Sequence, residues 1–514
     1  MPKNKFYITT SIPYANADPH IGFALEILYA DVMARYSRLS GKDVYFLTGT
    51  DEHGQKMYKT AQKIGRDPFD YASEKSAQFE RLADEWNIIN NDFIRTTEKR
   101  HMERAQKFWQ MAFDNGDIYK KAYSGLYCEG CESFKTEKDL VDGQCPNHNK
   151  KPEILQEENY FFRLSKYQAK LEKLFIDRPD FVIPKSKYNE MLEVLRNGLQ
   201  DISVSRAQDK LPWGIPVPND ASQVMYVWFD ALSNYITALG FGSNDDALFQ
   251  KYWPADIHVI GKDINRFHSL LWPAMLMSAG LELPRQIATH GFITLNGQKI
   301  SKSLGNVINP LDLIDQYPLE ALRYFLLREI PFDADGDFSH EKFLTRYTAD
   351  LANGLGNLTN RILAMIEKYC DSVVPGVLEA NNNIINLLNK EIWPKYQTGM
   401  EKFKFIEALE AVWSFIAFCD QSISDKQPWQ MIKAGKNNEV NDFLHHLAEA
   451  LRHIAIMIWP IMPQTAEKIL VQLGLDVKVE SAKPLSELQN WVQLTVGHKI
   501  NKGQPLFPRI EEKK

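Results

Sequence analysis

The sequence of 514 residues lacks any apolar run of about 18 residues, the length that a helix needs to cross a bilayer. Its first residues, MPKNKFYITT, have neither the apolar core of a signal peptide nor the Arg-rich, acid-poor composition of a transit peptide. Fixed-period repeats and low-complexity tracts are also missing. We therefore expect a cytoplasmic protein that does not associate with a membrane.

Cysteine is scarce and unevenly placed. There are five cysteines, an odd number, and three of them lie between positions 128 and 145. This distribution favours a reducing compartment and a metal site over a disulfide framework.

A strong charge of either sign is lacking as well. The chain has 60 Lys and Arg residues and 66 Asp and Glu residues. The resulting net charge of −6 does not indicate a protein that binds nucleic acid through its overall charge. Any contact with nucleic acid must come from local patches. The hydrophobic share of 44% and the charged share of 25% are those of an ordinary globular protein. At roughly 100–200 residues per domain, the length suggests several structural units.

Strand and helix patterns alternate at the start of the chain. The patterns predict strands at 6–12, 44–48 and 93–96 and helices at 22–38, 56–64 and 98–115. Such alternation is typical of βαβ units around a parallel sheet. The pattern breaks over 118–222, a stretch rich in turns, aromatics and cysteines, and returns from 223 to 347. From 348 to 514 the sequence is almost entirely helical. The prediction is an α/β protein with an insertion, followed by a helical bundle.

The first chemical motif is His20-Ile21-Gly22-Phe23, which lies between a predicted strand and a helix N-terminus and follows Pro13-Tyr14-Ala15-Asn16. Helix N-termini offer free backbone N–H groups and a positive dipole end, which suit phosphate. Gly22 allows a ligand to approach the backbone closely, and His20 can donate to a phosphate oxygen. Taken alone, the motif is also compatible with a loop histidine that caps the helix.

The second motif is Lys299-Ile300-Ser301-Lys302-Ser303, here called the signature loop. Two lysines three positions apart, among small hydroxyl residues, can close over a triphosphate as negative charge develops. A solvated basic turn is the alternative interpretation of this motif.

Together the two motifs resemble the signatures of class I aminoacyl-tRNA synthetases. Further segments resemble methionyl-tRNA synthetases, and the resemblance covers essentially the whole chain: Thr50-Asp51-Glu52-His53-Gly54, Trp228-Phe229-Asp230-Ala231, Gly261-Lys262-Asp263-Ile264, Phe267-His268 and Asn296-Gly297-Gln298-Lys299. The resemblance implies a Rossmann-like catalytic domain in two halves, 1–117 and 223–347, which includes the signature loop. It also implies a connective insertion with a zinc knuckle at 118–222 and an all-α anticodon-binding domain at 348–514.

The function implied by this family is that of a methionine–tRNA ligase, with ATP, L-methionine and tRNA(Met) as partners and Mg²⁺ accompanying ATP. The residues that the resemblance places at catalysis are His20, Lys299 and Lys302, and those at ATP are His20, Gly22, Asp263 and Lys302. Asp51 would hold the ammonium group of methionine. The walls of the methionine pocket would be Ile12, Tyr14, Trp228, Ala231, Tyr235, Phe267, His268 and Trp272. Aromatic walls suit a polarizable thioether, although core packing is the alternative for each ring.

Two positions depart from the family pattern. Phe23 stands where a second histidine is usual, and phenylalanine cannot donate to a phosphate. Backbone amides, His20 and Lys302 are expected to replace that donor. Ile300 replaces the usual methionine of the signature loop, and because both side chains are apolar we expect little effect.

The cysteine-rich stretch reads Cys128-x2-Cys131-x13-Cys145-x2-His148. Three thiolates and one imidazole match a closed, tetrahedral structural zinc site, so we expect one Zn²⁺. Coincidental surface thiols on a turn-rich insertion are the alternative.

The helical part carries candidate anticodon readers. Asn357 and Arg361 are four positions apart and share a helix face, and Trp429 follows a proline at a helix start. An amide, a guanidinium and an aromatic plane suit unstacked bases, and these positions match the anticodon readers of the family. Helix solvation for the first two and core packing for Trp429 are the alternatives. Residues 505–509 resemble the segment with which the family core ends, docking back on the enzyme, so without a dimerising appendage we expect a monomer.

Two other functions are alternatives to a methionine–tRNA ligase. The first is another class I synthetase, for leucine, isoleucine, valine or cysteine. It fits the sequence less well, because the insertion is too short for the editing domain of the branched-chain enzymes and the cysteines lie outside the active-site motifs. A non-catalytic tRNA-binding protein would share the helical part, and Phe23 is compatible with it. The intact residues His20, Asp51, Lys299 and Lys302 favour the enzyme.

Overall fold

The computed structural model describes residues 4–128, 133–135, 137–146, 149–299, 308–376, 383–491 and 494–510. The chain divides into two compact units. The first comprises Met1–Ala30 and Val44–His290, and the second comprises Asp31–Asp43 and Gly291–Lys514. No helix in the described ranges is long and apolar enough to cross a membrane.

The first unit is built on a parallel sheet. Among the described residues, six strands form it in the order β3-β2-β1-β12-β13-β7. Their bounds are β1 Lys5–Thr10, β2 Asp43–Thr50, β3 Asp92–Arg95, β7 Val182–Ile183, β12 Ile257–Gly261 and β13 Gln286–His290. The pairs β1–β12, β12–β13, β13–β7 and β2–β3 are parallel. All residues of β1 and β12 are buried, as expected for strands covered on both faces. The predicted parallel α/β sheet is thus confirmed.

The helices of the first unit connect and cover these strands. They are α1 Ile21–Leu39, which continues into the second unit's range, α2 Gln55–Lys63, α3 Pro68–Glu85, α4 Lys99–Asp114, α5 Gln168–Asp177, α6 Lys185–Arg196, α7 Val227–Leu232, α8 Asn234–Thr237, α9 Ala247–Tyr252 and α10 Trp272–Ser278. Helices α1, α2 and α4 match the predicted ones to within one residue at each end. Helix α3 was not predicted from the sequence, although Asp67 caps its N-terminus by accepting from two backbone N–H groups and Pro68 is its first residue.

Besides α5, α6 and strand β7 of the parallel sheet, the segment predicted as an insertion contributes two antiparallel sheets. Their strands are β4 Ile118–Cys128, β5 Ser133–Lys135, β6 Glu153–Phe162, β8 Ile202–Ser203, β9 Ser205–Ala207, β10 Pro216–Val217 and β11 Asp220–Met225. The described residues give the orders β5-β4-β6-β8 and β10-β11-β9. Strand β11 pairs only with antiparallel neighbours in this part of the chain, so the return of the βα pattern near 223 begins outside the parallel sheet.

The second unit combines a small sheet with the helical part. The sheet has β14 Ile293–Leu295, β15 Gln298–Lys299 and β16 Gly336–Phe338. The helices are α11 Pro310–Ile314, α12 Leu319–Glu329, α13 His340–Arg346, α14 Asn357–Tyr369, α15 Asn383–Leu387, α16 Trp393–Glu401, α17 Phe405–Lys426, α18 Pro428–Lys433, α19 Asn437–Ile458, α20 Pro463–Gln472, α21 Val477–Ser481 and α22 Leu485–Leu488. From Val440 onward α19 is buried along most of its length, so it is the central helix of this unit. The predicted helical domain is confirmed.

Candidate functional site

The carboxyl ends of β1 and β2 meet where ligands bind in parallel α/β sheets. Tyr14 and Asp51 form a parallel bridge beyond these strands. The backbone N–H of Ala15 donates to the Asp51 carbonyl at 2.9 Å, and the Asp51 N–H donates to the Pro13 carbonyl at the same distance. Only 4% of Asp51 is exposed. The fold therefore brings together two of the predicted site residues, Tyr14 and Asp51.

The residue after Asp51 anchors this loop. Glu52 is fully buried, and Arg95 donates to both of its carboxylate oxygens at 2.6 and 3.0 Å. Thr97 also donates to Glu52, and the Thr96 hydroxyl accepts from its backbone N–H at 2.9 Å. Because these bonds occupy the Glu52 carboxylate, its function is to hold the loop in place.

His53, the next residue, enters a second buried network. Its Nδ1 lies 2.7 Å from one carboxylate oxygen of Asp230, and His101 Nε2 lies 2.7 Å from the other. Burial alone would raise the pKa of Asp230, but the charge of His53 and hydrogen bonds from both histidines hold it below its ordinary value. His53 and Asp230 both lie in segments that resemble the family, but the sequence alone predicts no role for either of them.

The predicted methionine walls lie largely in one apolar cluster of the first unit. It includes Ile12, Tyr14, Trp228, Tyr235, Phe267 and Trp272. The rings of Trp228 and Phe267 stack face to face, with centroids 3.8 Å apart and an angle of 5°. The indole N–H of Trp228 is buried and has no hydrogen-bond partner among the described residues. Ala231 is buried on α7, one turn beyond Trp228.

Tyr235 and His268 form a buried polar pair within this aromatic surface. The His268 Nδ1 lies 3.1 Å from the Ile264 carbonyl, which can only accept, so Nδ1 carries the proton. The Tyr235 hydroxyl therefore donates to Nε2, at 2.7 Å. Burial lowers the pKa of His268 to about 4. A π-helical turn, Phe267–Leu271, presents this histidine, and such turns are frequent at functional sites.

A second buried histidine, His258, contacts both Trp272 and Tyr235. The Trp272 indole N–H donates to His258 Nε2 at 3.3 Å, and His258 Nδ1 lies 2.7 Å from the Thr9 hydroxyl. The ring of Tyr235 lies 4.2 Å from the ring of His258. Burial, followed by the effect of His268, places the pKa of His258 well below its ordinary value. A neutral imidazole thus fixes two of the predicted walls.

His20 precedes helix α1 and is exposed. Its carbonyl accepts from the backbone N–H groups of Phe23 and Ala24, which closes the first turn of the helix. Its side chain bends back, and Nδ1 accepts from the Gly22 N–H at 3.1 Å. A Cβ at Gly22 would lie 3.0 Å from two atoms of the imidazole, so glycine makes room for this ring. His20 and Gly22 are thus brought together at the helix N-terminus.

Phe23 does not occupy a donor's place at the surface. It is buried, and its ring packs edge to face against Phe79 with centroids 5.2 Å apart. The side chain therefore stabilises the packing of α1 on α3.

Glu26 is a buried acid of α1 that the sequence did not predict as a site residue. Its Oε1 accepts from the backbone N–H and the hydroxyl of Ser11, and its Oε2 lies 3.0 Å from His290 Nε2. Ser11 follows β1 and His290 ends β13, so this acid links two strand ends to α1. A carboxylate within the apolar stripe of α1 was the sequence signal for it.

Asp263, predicted at the nucleotide, lies just beyond β12 and is exposed. A Cβ at Gly261 would approach its Oδ1 to 2.9 Å and the Glu26 Oε2 to 3.8 Å. Glycine at the end of β12 is therefore what allows the Asp263 carboxylate to lie over the backbone beside Glu26.

The signature loop begins on a hairpin of the second unit. Asn296 and Gly297 have φ values of 50° and 77° between β14 and β15, as a type I′ turn requires. Asp337 fixes this turn, because its Oδ1 accepts from the Gly297 N–H at 2.6 Å and from the Thr294 hydroxyl at 2.8 Å. Lys299 is the last residue of β15, whereas Lys302 lies outside the described residues.

The predicted zinc ligands are described only in part. Cys128, at the end of β4, and Cys145, between β5 and β6, are both buried. Cys131 and His148 lie outside the described residues. Among the residues that the structure describes, no three His, Cys, Asp or Glu side chains are grouped so that they could hold a metal ion.

The predicted anticodon readers Asn357 and Arg361 share one partner on α17. The Asp420 carboxylate accepts from the Arg361 guanidinium and, at 3.5 Å, from the Asn357 amide. Arg361 also donates to the Ser424 hydroxyl at 3.5 Å. Trp429, the second residue of α18, is 38% exposed, so core packing does not account for it.

Comparisons with known proteins assign the class. The family model described as "tRNA synthetases class I (M)" matches residues 6–151 and 148–363, and the model described as "Anticodon-binding domain of tRNA ligase" matches residues 382–498. The parallel sheet and the helical part are thus those of a class I tRNA synthetase.

Relatives assign the family. The methionine–tRNA ligase of Thermotoga maritima is 45% identical over 99% of this chain and 81% of its own length. That of Synechocystis is 43% identical over 98% of both chains. The solved Mycobacterium tuberculosis methionyl-tRNA synthetase in complex with methionyl-adenylate is 40% identical, with a TM-score of 0.93 over 98% of this chain and 100% of that chain. The chain belongs to the methionine–tRNA ligase family.

Proposed function

We propose that this chain joins L-methionine and ATP to form methionyl adenylate and pyrophosphate, and then transfers the methionyl group to the 3′ end of tRNA(Met) with release of AMP. The observation that carries this proposal is the place of Asp51. Its buried carboxylate follows β2 beside Tyr14, which belongs to the same apolar cluster as Trp228 and Tyr235. A carboxylate next to aromatic walls suits a ligand with an ammonium group and a thioether.

In this function Asp51 holds the methionine ammonium group. The rings of Trp228, Tyr235, Phe267 and Trp272, together with Ile12, Tyr14, Ala231 and His268, enclose the side chain. Since Tyr235 donates to His268, the hydroxyl oxygen and the π faces of these rings are what a neutral sulfur meets. A longer or charged side chain would meet the buried, uncharged His268 and Trp272 and would be disfavoured.

The nucleotide lies at the N-terminus of α1. Because Nδ1 of His20 accepts from Gly22, a neutral imidazole carries its proton on Nε2 and can donate it to a phosphate oxygen. The helix dipole adds positive potential at the same place. Asp263 and Gly22 border the nucleotide, and Lys299 and Lys302 of the signature loop supply positive charge. Mg²⁺ accompanies ATP and neutralises part of its charge.

The chemical step is an in-line attack of the methionine carboxylate on the α-phosphate, and pyrophosphate leaves. The protein contributes positioning and charge stabilisation and forms no covalent bond to the substrate. In the second unit Trp429 stacks on an anticodon base, and Asn357 and Arg361 contact bases beside it.

One structural Zn²⁺ belongs to the proposal as well. Cys128 and Cys145 are buried thiols, and with Cys131 and His148 they form a donor set of the kind that structural zinc takes. The metal would hold the loops that follow β4 together. A monomer and a cytoplasmic location stay predictions, and light scattering at micromolar concentration tests the first.

ATP–pyrophosphate exchange with each amino acid in turn tests the function. We expect exchange with methionine alone, and a loss of about 10²–10³ in rate for Lys302→Ala, since removing one charge-stabilising donor typically has that effect. Lys395→Ala is the matched control, because this exposed lysine pairs only on the surface with Glu391. Exchange with another amino acid would indicate a different class I synthetase, and tRNA binding without any exchange would indicate a non-catalytic protein. A normal rate for Lys302→Ala would remove that lysine from the mechanism.

A further inference from the structure

We propose that Asp230 is a positioning residue for methionine. Its carboxylate ties the loop that follows β2 to helix α7, and it thereby sets the position of Asp51 relative to the pocket walls. The inference rests on the proposed function, because it concerns the same pocket and assumes that Asp51 holds the ammonium group.

The geometry of the Asp230 carboxylate supports this role. Each of its two oxygens lies 2.7 Å from a histidine nitrogen, one of His53 and one of His101. Only 1% of Asp230 is exposed, and His101 is fully buried. Because both oxygens are occupied within the protein and shielded from solvent, Asp230 does not touch substrate. Any effect on methionine must act through the residues that it holds.

Those residues lie next to the pocket on both sides of the link. On the loop side, His53 is two positions after Asp51. On the helix side, Trp228 and Ala231 flank Asp230 on α7, a helix of only six residues. So short a helix gains little stability from its own hydrogen bonds and depends on its contacts for its position.

Other contacts already fix the remaining parts of this loop. Asp51 is bonded through its backbone to Pro13 and Ala15, and Glu52 is fixed by Arg95. The rings of His53 and Trp213 meet edge to face at 5.3 Å. The His53–Asp230 bond is a polar contact that connects this loop to the helix of Trp228. Loss of this bond should let α7, and with it Trp228 and Ala231, shift relative to Asp51 without unfolding the sheet.

Burial makes this arrangement specific. A buried carboxylate is tolerated only where hydrogen bonds and charge compensate its desolvation, and here both imidazoles contribute. His101 Nδ1 lies 2.8 Å from the Thr237 hydroxyl, so its ring is held in turn by α8. The network thus reaches from α4 and α8 through α7 to the loop of Asp51.

Two variants break the link from its two sides. Asp230→Ala removes the carboxylate. His53→Phe removes the N–H and keeps an aromatic ring beside Trp213, so it decides the case if Asp230→Ala does not fold. Asp230→Asn should recover part of the function, because an amide can still accept from one histidine. Asp117→Ala is the matched control: Asp117 is a buried carboxylate of the first unit, and its hydrogen-bond donors among the described residues, Lys166, Tyr167 and Ser278, are not pocket residues.

The measurement compares two competitive inhibitors of methionine-dependent exchange. Methioninol keeps the ammonium group that Asp51 would hold, whereas 4-(methylthio)butan-1-ol differs from it only by lacking that group. In Asp230→Ala and His53→Phe we expect the inhibition constant of methioninol to rise about tenfold, the effect of a lost charged hydrogen bond, and that of the second compound to change less than twofold. The KM for ATP should stay unchanged in both variants. The control Asp117→Ala should have a lower melting temperature, but its ratio of the two inhibition constants should equal that of the wild type.

Each outcome has a definite meaning. Equal weakening of both inhibitors, or wild-type binding of methioninol by folded His53→Phe, would overturn the role of Asp230. An Asp51→Asn variant that loses the preference for methioninol, while the other variants keep it, would refute this inference and leave the proposed function standing. A wild-type protein without methionine-dependent exchange would instead refute the proposed function.

Discussion

The backbone N–H of Gly22 donates to Nδ1 of His20 at 3.1 Å, across the first turn of α1. This bond determines the tautomer of a neutral His20, since an acceptor Nδ1 leaves the proton on Nε2. It also explains the glycine, because a Cβ at this position would lie 3.0 Å from the imidazole. Two residues of one sequence motif therefore depend on each other.

Gly22→Ala should separate catalysis from stability. The added methyl group displaces the His20 ring and with it the phosphate donor, so we expect kcat/KM for ATP in pyrophosphate exchange to fall about 10- to 100-fold. The melting temperature should not fall, because alanine is a better helix former than glycine by about 1 kcal/mol. Gly376→Ala is a suitable control, since its Cβ would have no neighbour within 4 Å. An unchanged exchange rate would show that the position of His20 is not needed.

The sequence predicted those parts of the fold that carry continuous or periodic apolar patterns. Strands β1 and β12 are buried throughout, and such runs are readily recognised. Helix α3 was missed although Asp67 and Pro68 mark its start. Strand β7 has only two residues and gives no pattern to recognise.

The candidate site, like the fold, could be predicted only in part. Family segments led to Asp51 and Trp228, whereas the partners of Asp230 could not be predicted. Its histidines lie 177 and 129 positions away along the chain, and only the tertiary fold brings them together. Phe23 was recognised as a departure from the family pattern, but its packing against Phe79 is likewise a tertiary contact.

His268 should make stability depend on pH. Burial lowers its pKa from 6.5 to about 4, so between these values the unfolded chain binds a proton that the folded protein excludes. Stability is therefore fully present above pH 6.5 and is lost as the pH falls towards 4, by about 3 kcal/mol. Below pH 4 this contribution no longer changes.

Denaturant unfolding of the wild type and of His268→Gln at pH 7.0, 6.0 and 5.0 checks this expectation. Glutamine can still accept from Tyr235 but does not titrate, so the variant should lose less stability than the wild type over this range. His258 is buried in both proteins, and because burial is the larger cause of its lowered pKa and the charge of His268 the smaller one, most of its contribution cancels in the difference. Parallel pH dependences in the two proteins would contradict the assignment.

Metal analysis tests the zinc site. Protein purified without added zinc should hold one equivalent per chain, and Cys131→Ser should lose it and become sensitive to proteolysis near Cys128, because structural zinc contributes directly to local folding. Cys370→Ser is the control, since this cysteine lies in the helical part and contacts Asn441. Folded, active protein with less than about a tenth of an equivalent would rule the site out, because structural zinc binds with ~10–16 kcal/mol.

Trp429 allows tRNA recognition to be tested apart from methionine activation. It lies in the second unit and is 38% exposed, so its truncation should cost little stability. Trp429→Ala should leave methionyl-adenylate formation unchanged. It should reduce the charging of tRNA with a CAU anticodon about 10- to 100-fold, because the loss of one base–aromatic stack weakens binding by ~1–3 kcal/mol. Trp393→Ala provides the contrast, because Trp393 is buried and donates to His453, and its loss should cost about 3–5 kcal/mol of folding free energy. Exchange, charging and melting measured on one preparation distinguish the two behaviours. If Trp429→Ala loses exchange and charging equally and melts at a lower temperature, Trp429 is a packing residue and not an anticodon reader.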